Sequence, residues 1–184
     1  TRENIMEGRP GGEPLLALAE RAEKLNYDSV WVGDSLLARP RHEPITTAVF
    51  GRITRASAWN CHSGSLGGWF DEKPGNVAET WRWMADPKVA GVGGFGDLGT
   101  HSLDILMWLL GPVASVSAEV RVVTGRYGDC DETGTAMLKM KDGVVATLVA
   151  GWVDVANPVS LQIAGTEGHA IVVRDQLYFE SKKV

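Results

Sequence analysis

The sequence predicts an α+β fold with a largely antiparallel open sheet, a long helix on one face of that sheet, and a small N-terminal α/β appendage. Three observations support this prediction. An apolar helix pattern covers residues 98–110 and is followed by Gly111-Pro112, residues that commonly end helices. Short strand-like segments separated by turn signals come after it. One helix followed by a run of antiparallel strands is typical of the α+β class.

The N-terminal appendage is predicted from residues 13–48 and assigned to residues 1–50 as a whole. Pro14 suits a first helical turn, and apolar residues at i, i+3, i+4 and i+7 follow it up to Leu25. The segment DSVWVGD reads as a short buried strand, and SLLARPRHEP as a loop broken by two prolines. One helix and one strand of an α/β unit are therefore expected, without partner strands.

Residues 51–184 are predicted to form the second domain. Its first strand is RITRASAW, a glycine-rich loop follows, and VAETWRWMADP is a short helix or an ordered loop. Asp142-Gly143 is a two-residue hairpin signal between two strands after the long helix. Apolar residues lie on both faces of these strands, from Val120 to Trp152, and one helix covers only part of such a sheet. A second subunit or a further domain is expected on the remaining face, and we expect a dimer or larger homo-oligomer.

Composition and charge exclude several classes of partner. The net charge of −5 and the pI near 5.4 argue against nucleic acid and anionic membranes, which require a basic surface. The longest apolar run, Ile105–Leu110, is too short to span a bilayer, and the first residues lack the apolar core of a signal peptide. We therefore expect a cytoplasmic protein. Cys61 and Cys130 form no C-x-x-C pair, so reduced thiols and no metal site are expected.

The stretch GGFGDLGTHSLDILMWLLGP carries three ionisable side chains on one helical face. Asp97, His101 and Asp104 have the spacing i, i+4 and i+7. Asp97 stands at the predicted helix start, where a carboxylate can cap free N–H groups, and leucines with Ile105 are expected to anchor the other faces. A cap followed by two solvated side chains gives the same pattern. Alternatively, His101 takes or gives a proton at neutral pH beside glycines that admit a ligand.

Two residues near the glycine-rich loop are further candidates for substrate binding. His62 follows Cys61 and is expected to lie near a substrate pocket as a loop residue. Trp59 is one of several tryptophans around this loop, and its ring can stack on a sugar or cyclitol. Packing of the loop onto the sheet explains the same tryptophans equally simply.

The helix motif resembles the glycine-rich D-x-x-x-H signature of the Gfo/Idh/MocA oxidoreductases, the relatives of glucose–fructose oxidoreductase and inositol dehydrogenase. GRITRASAWNCHSG, ETWRWMADPKVAGVGG, DETGTAMLKMKDGVVATLVAGW and VSLQIAGTEGHAIV are similar to other parts of that family's C-terminal domain. The resemblance implies NAD(P)-dependent oxidation or reduction of a sugar, cyclitol or related hydroxy compound. It makes His101 the general acid/base, Asp97 the residue that orients substrate or the histidine, and Asp104 a structural helper.

The family's cofactor-binding Rossmann domain has no counterpart in the sequence. GVGGFG at 91–96 matches a dinucleotide-binding turn only superficially, and we interpret it as the approach to the helix. Glu72-Lys73-Pro74 repeats the family's catalytic-lysine motif in the wrong domain, which we interpret as coincidence. The chain is thus expected to be the substrate-side fragment of an oxidoreductase, inactive alone. The alternative is a non-catalytic substrate-binding or oligomerisation module.

Residues 13–48 resemble a different family, the luciferase-like flavin-dependent monooxygenases. LLALAERAEKLNYDSVWVGDSLLARPRHEPITT is similar to the helix–strand opening of that barrel. The resemblance implies ligand contacts for Asp34 and His42 in an intact barrel, but here a surface loop is the favoured interpretation, because many strands build the flavin site. The two resemblances together imply that two unrelated fragments are joined near residue 50. A remnant of such a monooxygenase is the third alternative for the function of the chain.

Overall fold

The computed structural model describes residues 45–71, 81–174 and 176–183. These residues belong to one compact unit, Pro44–Val184. The helix and the strand predicted within residues 13–48 lie outside the described residues. No helix among the described residues is long and apolar enough to cross a membrane.

The described residues of this unit form seven strands and several helices, one of them long. In chain order the elements are α1 (Ile45–Phe50), β1 (Ile53–Cys61), α2 (Gly64–Gly67), a 3₁₀ helix (Arg82–Ala85), α3 (Pro87–Ala90), α4 (Gly94–Leu110), β2 (Val113–Arg121), β3 (Thr133–Met140), β4 (Val145–Gly151), β5 (Val159–Gly165), β6 (Gly168–Val173) and β7 (Gln176–Ser181).

The strands form a single mixed sheet in the order β2-β3-β4-β1-β5-β6-β7. Every neighbouring pair is antiparallel except β1 and β4, which run parallel. The prediction of a largely antiparallel sheet is therefore only partly right. The parallel pair arises because β1, which precedes the long helix, enters the sheet between two strands that follow it.

The core lies between α4 and the centre of the sheet. Leu106 and Leu110 of α4 are buried against small side chains of the sheet, of which Ala146 and Ala150 are fully enclosed. Burial alternates along β3, so that Leu138 is buried and its neighbours face the other side of the sheet. The predicted long helix on one face is present. Its expected anchor Ile105, however, is 45% exposed, because it lies beside the buried stripe.

Helix α1 was not among the predicted elements. The Thr46 hydroxyl donates to the backbone oxygen of Leu109, at 2.9 Å, and Phe50 packs on Phe179 with ring centroids 5.5 Å apart. These contacts join α1 to α4 and to β7. The described domain therefore includes residues before Gly51, where the sequence places the boundary.

Candidate active site

The two parallel strands end side by side, and the residues after them meet the start of α4. Cys61 pairs with Gly151 at the ends of β1 and β4. His62 directly follows β1, and Trp152 directly follows β4. The His62 N–H donates to the Gly151 carbonyl at 2.9 Å, and the Trp152 N–H donates to the Glu132 carbonyl at 2.7 Å. Backbone hydrogen bonds thus hold both side chains beside the first turns of α4.

The Asp97 carboxylate is held by Trp152. The indole ring of Trp152 is fully buried, and its Nε1–H donates to Oδ2 of Asp97 at 3.0 Å. A hydrogen bond to an ionised acceptor is stronger than one between neutral groups, so it fixes the direction of the carboxylate. Sequence reasoning counted Trp152 as an apolar sheet residue. The available signal was chemical, since a buried indole N–H requires an acceptor.

The expectation that Asp97 caps the helix is wrong. Helix α4 begins at Gly94 rather than at residue 98, and its N-cap Gly93 makes no side-chain hydrogen bond. Asp131 supplies the cap: its two carboxylate oxygens accept from the N–H groups of Gly93 (2.7 Å) and Phe95 (2.8 Å). Because a carboxylate from outside the helix satisfies these donors, Asp97 remains free to turn toward Trp152.

His101 and Asp104 lie on the exposed face of α4, one and two turns after Asp97. The spacing places all three on one side of the helix, as predicted. His62 joins them at the helix start through its contact with Trp152. Trp59 does not, because its neighbour Ala58 points into the core under α4 and alternation directs Trp59 to the opposite face of the sheet.

A second carboxylate, Glu132, is fully buried and holds the loop between β2 and β3. It accepts from the N–H groups of Val123 (2.7 Å), Thr124 (2.5 Å) and Gly125 (3.3 Å), and from the Thr124 hydroxyl (2.5 Å). Burial by itself raises the pKa of Glu132, but these hydrogen bonds outweigh it and hold the pKa below its usual value.

The loop held by Glu132 forms one wall of a cavity of about 760 Å³. Arg126 of the loop binds Asp71 with Nε (2.8 Å) and Nη2 (2.5 Å), and Tyr127 donates to the same carboxylate at 3.3 Å. Two further cavities lie near Gly51 and His169. Asp97 and His101 line none of these three cavities; Asp97 is half-buried and His101 is exposed on α4.

The sequence profile of the GFO/IDH/MocA C-terminal domain matches residues 45–171, more than half of the chain. The chain belongs to the GFO/IDH/MocA family. A search of curated protein sequences gives no match. The profile begins at residue 45, and no comparison supports the likeness of residues 13–48 to luciferase-like monooxygenases. Asp34, His42 and Lys73 lie outside the described residues.

Solved structures show the same GFO/IDH/MocA fold. An inositol dehydrogenase homolog from Azotobacter vinelandii, complexed with NAD+, gives a TM-score of 0.62 at 17% identity over 73% of this chain and 36% of its own. Levoglucosan dehydrogenase with NADH and levoglucosan gives 0.62 at 23% identity over 76% and 38%. The WlbA dehydrogenase from Bordetella pertussis, with NADH and UDP-GlcNAcA, gives 0.62 at 22% over 77% and 40%. The chain thus corresponds to about two fifths of these proteins at most.

Proposed function

We propose that this chain is the substrate-side part of an NAD(P)-dependent oxidoreductase that acts on a hydroxyl group of a sugar, cyclitol or related compound. The main support for this proposal is one observation. Asp97, which is held by the buried Trp152, lies one turn before the exposed His101 in the first turns of α4. The fold is that of a family whose solved members include complexes with NAD+ or NADH.

The three ionisable residues of α4 have distinct roles in this proposal. His101 takes the proton from the substrate hydroxyl during oxidation and returns it during reduction, a transfer worth about 10²–10⁴ in rate. The carboxylate of Asp97 accepts a hydrogen bond from a substrate hydroxyl and so orients the substrate. Asp104 is a substrate-binding candidate on the same face, two turns after Asp97. The side chains of His101 and Asp104 are both exposed there.

The described residues do not fit the pyrophosphate of NAD(P). The glycine run before α4 follows the short helix α3 rather than a strand, and the Asp131 carboxylate already occupies the N–H groups of Gly93 and Phe95. An anion at this helix start would meet a like charge instead of free donors. We therefore assign NAD(P) by family membership alone.

Sugar binding by the chain tests the proposal. Inositol and levoglucosan are titrated while tryptophan fluorescence is followed, and NADH and NADPH while nicotinamide fluorescence is followed. We expect polyol binding that Asp97→Ala abolishes and His169→Ala, a change in a histidine of β6, leaves intact. Absence of polyol binding would sink the proposal. Binding of NADH with turnover that His101→Ala removes would show a complete active site.

A non-catalytic module that binds substrate is the second candidate. It is favoured by the exposure of His101, which lines none of the three cavities described above. In this case polyols bind, and replacing His101 leaves that binding unchanged. No turnover then appears when nicotinamide cofactor is added.

A further inference from the structure

Three contacts fix the orientation and the tautomer of the His62 ring. Its Nδ1 accepts a hydrogen bond from the backbone N–H of Gly64, at 2.9 Å. The ring stacks on Trp69, with centroids 4.6 Å apart and 23° between the planes, and lies parallel to Trp152 at 6.3 Å. Because a nitrogen that accepts a hydrogen bond carries no proton, the neutral ring keeps its proton on Nε2.

Glycine at position 64 is what permits this geometry. A Cβ there would lie 2.6 Å from Cε1 of His62 and 2.9 Å from Nδ1, so a larger residue would push the ring off its backbone donor. Burial lowers the pKa of His62 below its ordinary value, and the negative charge of Asp97 offsets only part of that shift. This lowered pKa favours the neutral ring, which has one defined donor, Nε2–H.

Among the described residues, the one hydrogen bond of the His62 ring is that which Nδ1 accepts from Gly64, so Nε2 is left for a ligand. His62 offers a hydrogen-bond donor, whereas the nearby Asp97 offers an acceptor, since an ionised carboxylate only accepts hydrogen bonds. We propose that His62 is a specificity-determining residue: Nε2–H donates to one substrate oxygen, while Asp97 accepts from a neighbouring hydroxyl. This inference rests on the proposed function, because it assigns a role within the same site.

The consequence is a preference for substrates with two neighbouring oxygens. One oxygen accepts from His62, and the other belongs to a hydroxyl that donates to Asp97. A deoxy analogue would leave one of the two groups without a partner, which costs more than the hydrogen bond alone contributes. Two polyols that differ only in whether they carry this pair of neighbouring oxygens should therefore bind with different affinity.

The test is nitrogen NMR of the ¹⁵N-labelled chain, with the His62 ring signals assigned by their absence in His62→Phe. We expect the Nε2–H tautomer at pH 7 and a shift of Nε2 when inositol or levoglucosan is added. His62→Phe keeps a ring to stack on Trp69 but removes the donor, and should weaken polyol binding about tenfold. His62→Gln retains a donor and should lose less.

The outcomes separate this role from the proposed function. An Nδ1–H tautomer or an imidazolium at pH 7 overturns the role of His62 and leaves the proposed function standing. The role of His62 is also overturned, and the proposed function stands, if added polyol shifts only the NMR signals of α4 and leaves the His62 ring signals unchanged. If no signal of the chain moves on adding either polyol, the proposed function and the role of His62 are both wrong.

Discussion

The hydrogen bond between Trp152 and Asp97 joins the buried core to the candidate site. Replacing Trp152 with phenylalanine keeps an aromatic ring in the core but removes the N–H that holds Oδ2 of Asp97 at 3.0 Å. We expect Trp152→Phe to lower the free energy of unfolding by about 1–3 kcal/mol, because the half-buried carboxylate loses its donor and the smaller ring leaves space. Urea denaturation measures this change.

A double-mutant cycle isolates the hydrogen bond from the loss of ring volume. Trp152→Phe and Asp97→Ala are combined, and a coupling of about 0.5–3 kcal/mol is expected between them. Trp59→Phe is the matched control, since this indole is 43% exposed on the opposite face of the sheet. Strict additivity of the two changes would contradict the structural role given to the indole N–H.

Sequence reasoning placed the candidate residues of α4 on their common face, but it missed the residues that hold them and the helix. The common face of Asp97 and His101 follows from helical spacing, which is local. Trp152, in contrast, lies 55 residues beyond Asp97, and Asp131 caps α4 from 38 residues beyond Gly93. Such pairs depend on how strands are ordered in the sheet, and no short stretch of sequence records that order.

At the scale of elements, helix α4 depends on a glycine at its first position. A Cβ at Gly94 would lie 2.8 Å from the Glu132 backbone oxygen and 2.9 Å from the Trp152 ring. At Gly99 the nearest atoms are 3.5 Å and 3.6 Å away, on Leu148 and Ala150, which is ordinary contact. We expect Gly94→Ala to destabilise the domain by about 1–3 kcal/mol through overpacking.

Gly99→Ala is the matched control within the same helix. Alanine is favoured over glycine in a helix interior by about 1 kcal/mol, so this change should be neutral or stabilising. Thermal or urea unfolding of both variants measures the contrast. Equal destabilisation at the two positions would show that α4 approaches the sheet differently from the geometry described here.

The type of most elements could be read from the sequence, whereas their pairing could not. The sequence predicts RITRASAW as a strand, and β1 covers all of those residues except the first. The sequence predicts a helix from residue 98 only, whereas α4 begins at Gly94. The first turn was missed because it contains glycines, which disfavour a helix unless tertiary contacts hold them there. The parallel contact of β1 with β4 joins distant segments, which local patterns do not predict.

For the whole molecule, the sheet face opposite α4 remains our predicted surface for self-association. Met137 (55% exposed), Val145 (41%) and Trp59 (43%) lie on this face of neighbouring strands. Light scattering after size exclusion should show a dimer or larger species that Met137→Lys with Val145→Lys dissociates. Val89→Lys, at a 66% exposed position of α3, should not change the mass. A monomeric wild-type chain would contradict this prediction.

Two buried thiols make the stability of the domain sensitive to alkaline pH. Cys61 and Cys130 are 4% and 1% exposed, and burial raises the pKa of each to about 11, with Asp154 adding to the effect at Cys61 and Asp131 at Cys130. The folded thiols keep their protons where unfolded thiols, whose pKa is about 8.5, lose them. The stabilisation is therefore complete below about pH 8.5 and is lost as pH rises toward 11.

Urea denaturation between pH 7 and 10 measures this dependence. The free energy of unfolding should fall above pH 8.5, with a slope of at most about 1.4 kcal/mol per pH unit for each thiol. Replacing Cys61 and Cys130 with alanine should flatten the curve in this range, because alanine has no proton to lose. An unchanged slope in the double variant would mean that other groups, among them Tyr127, whose pKa burial also raises, cause the alkaline loss.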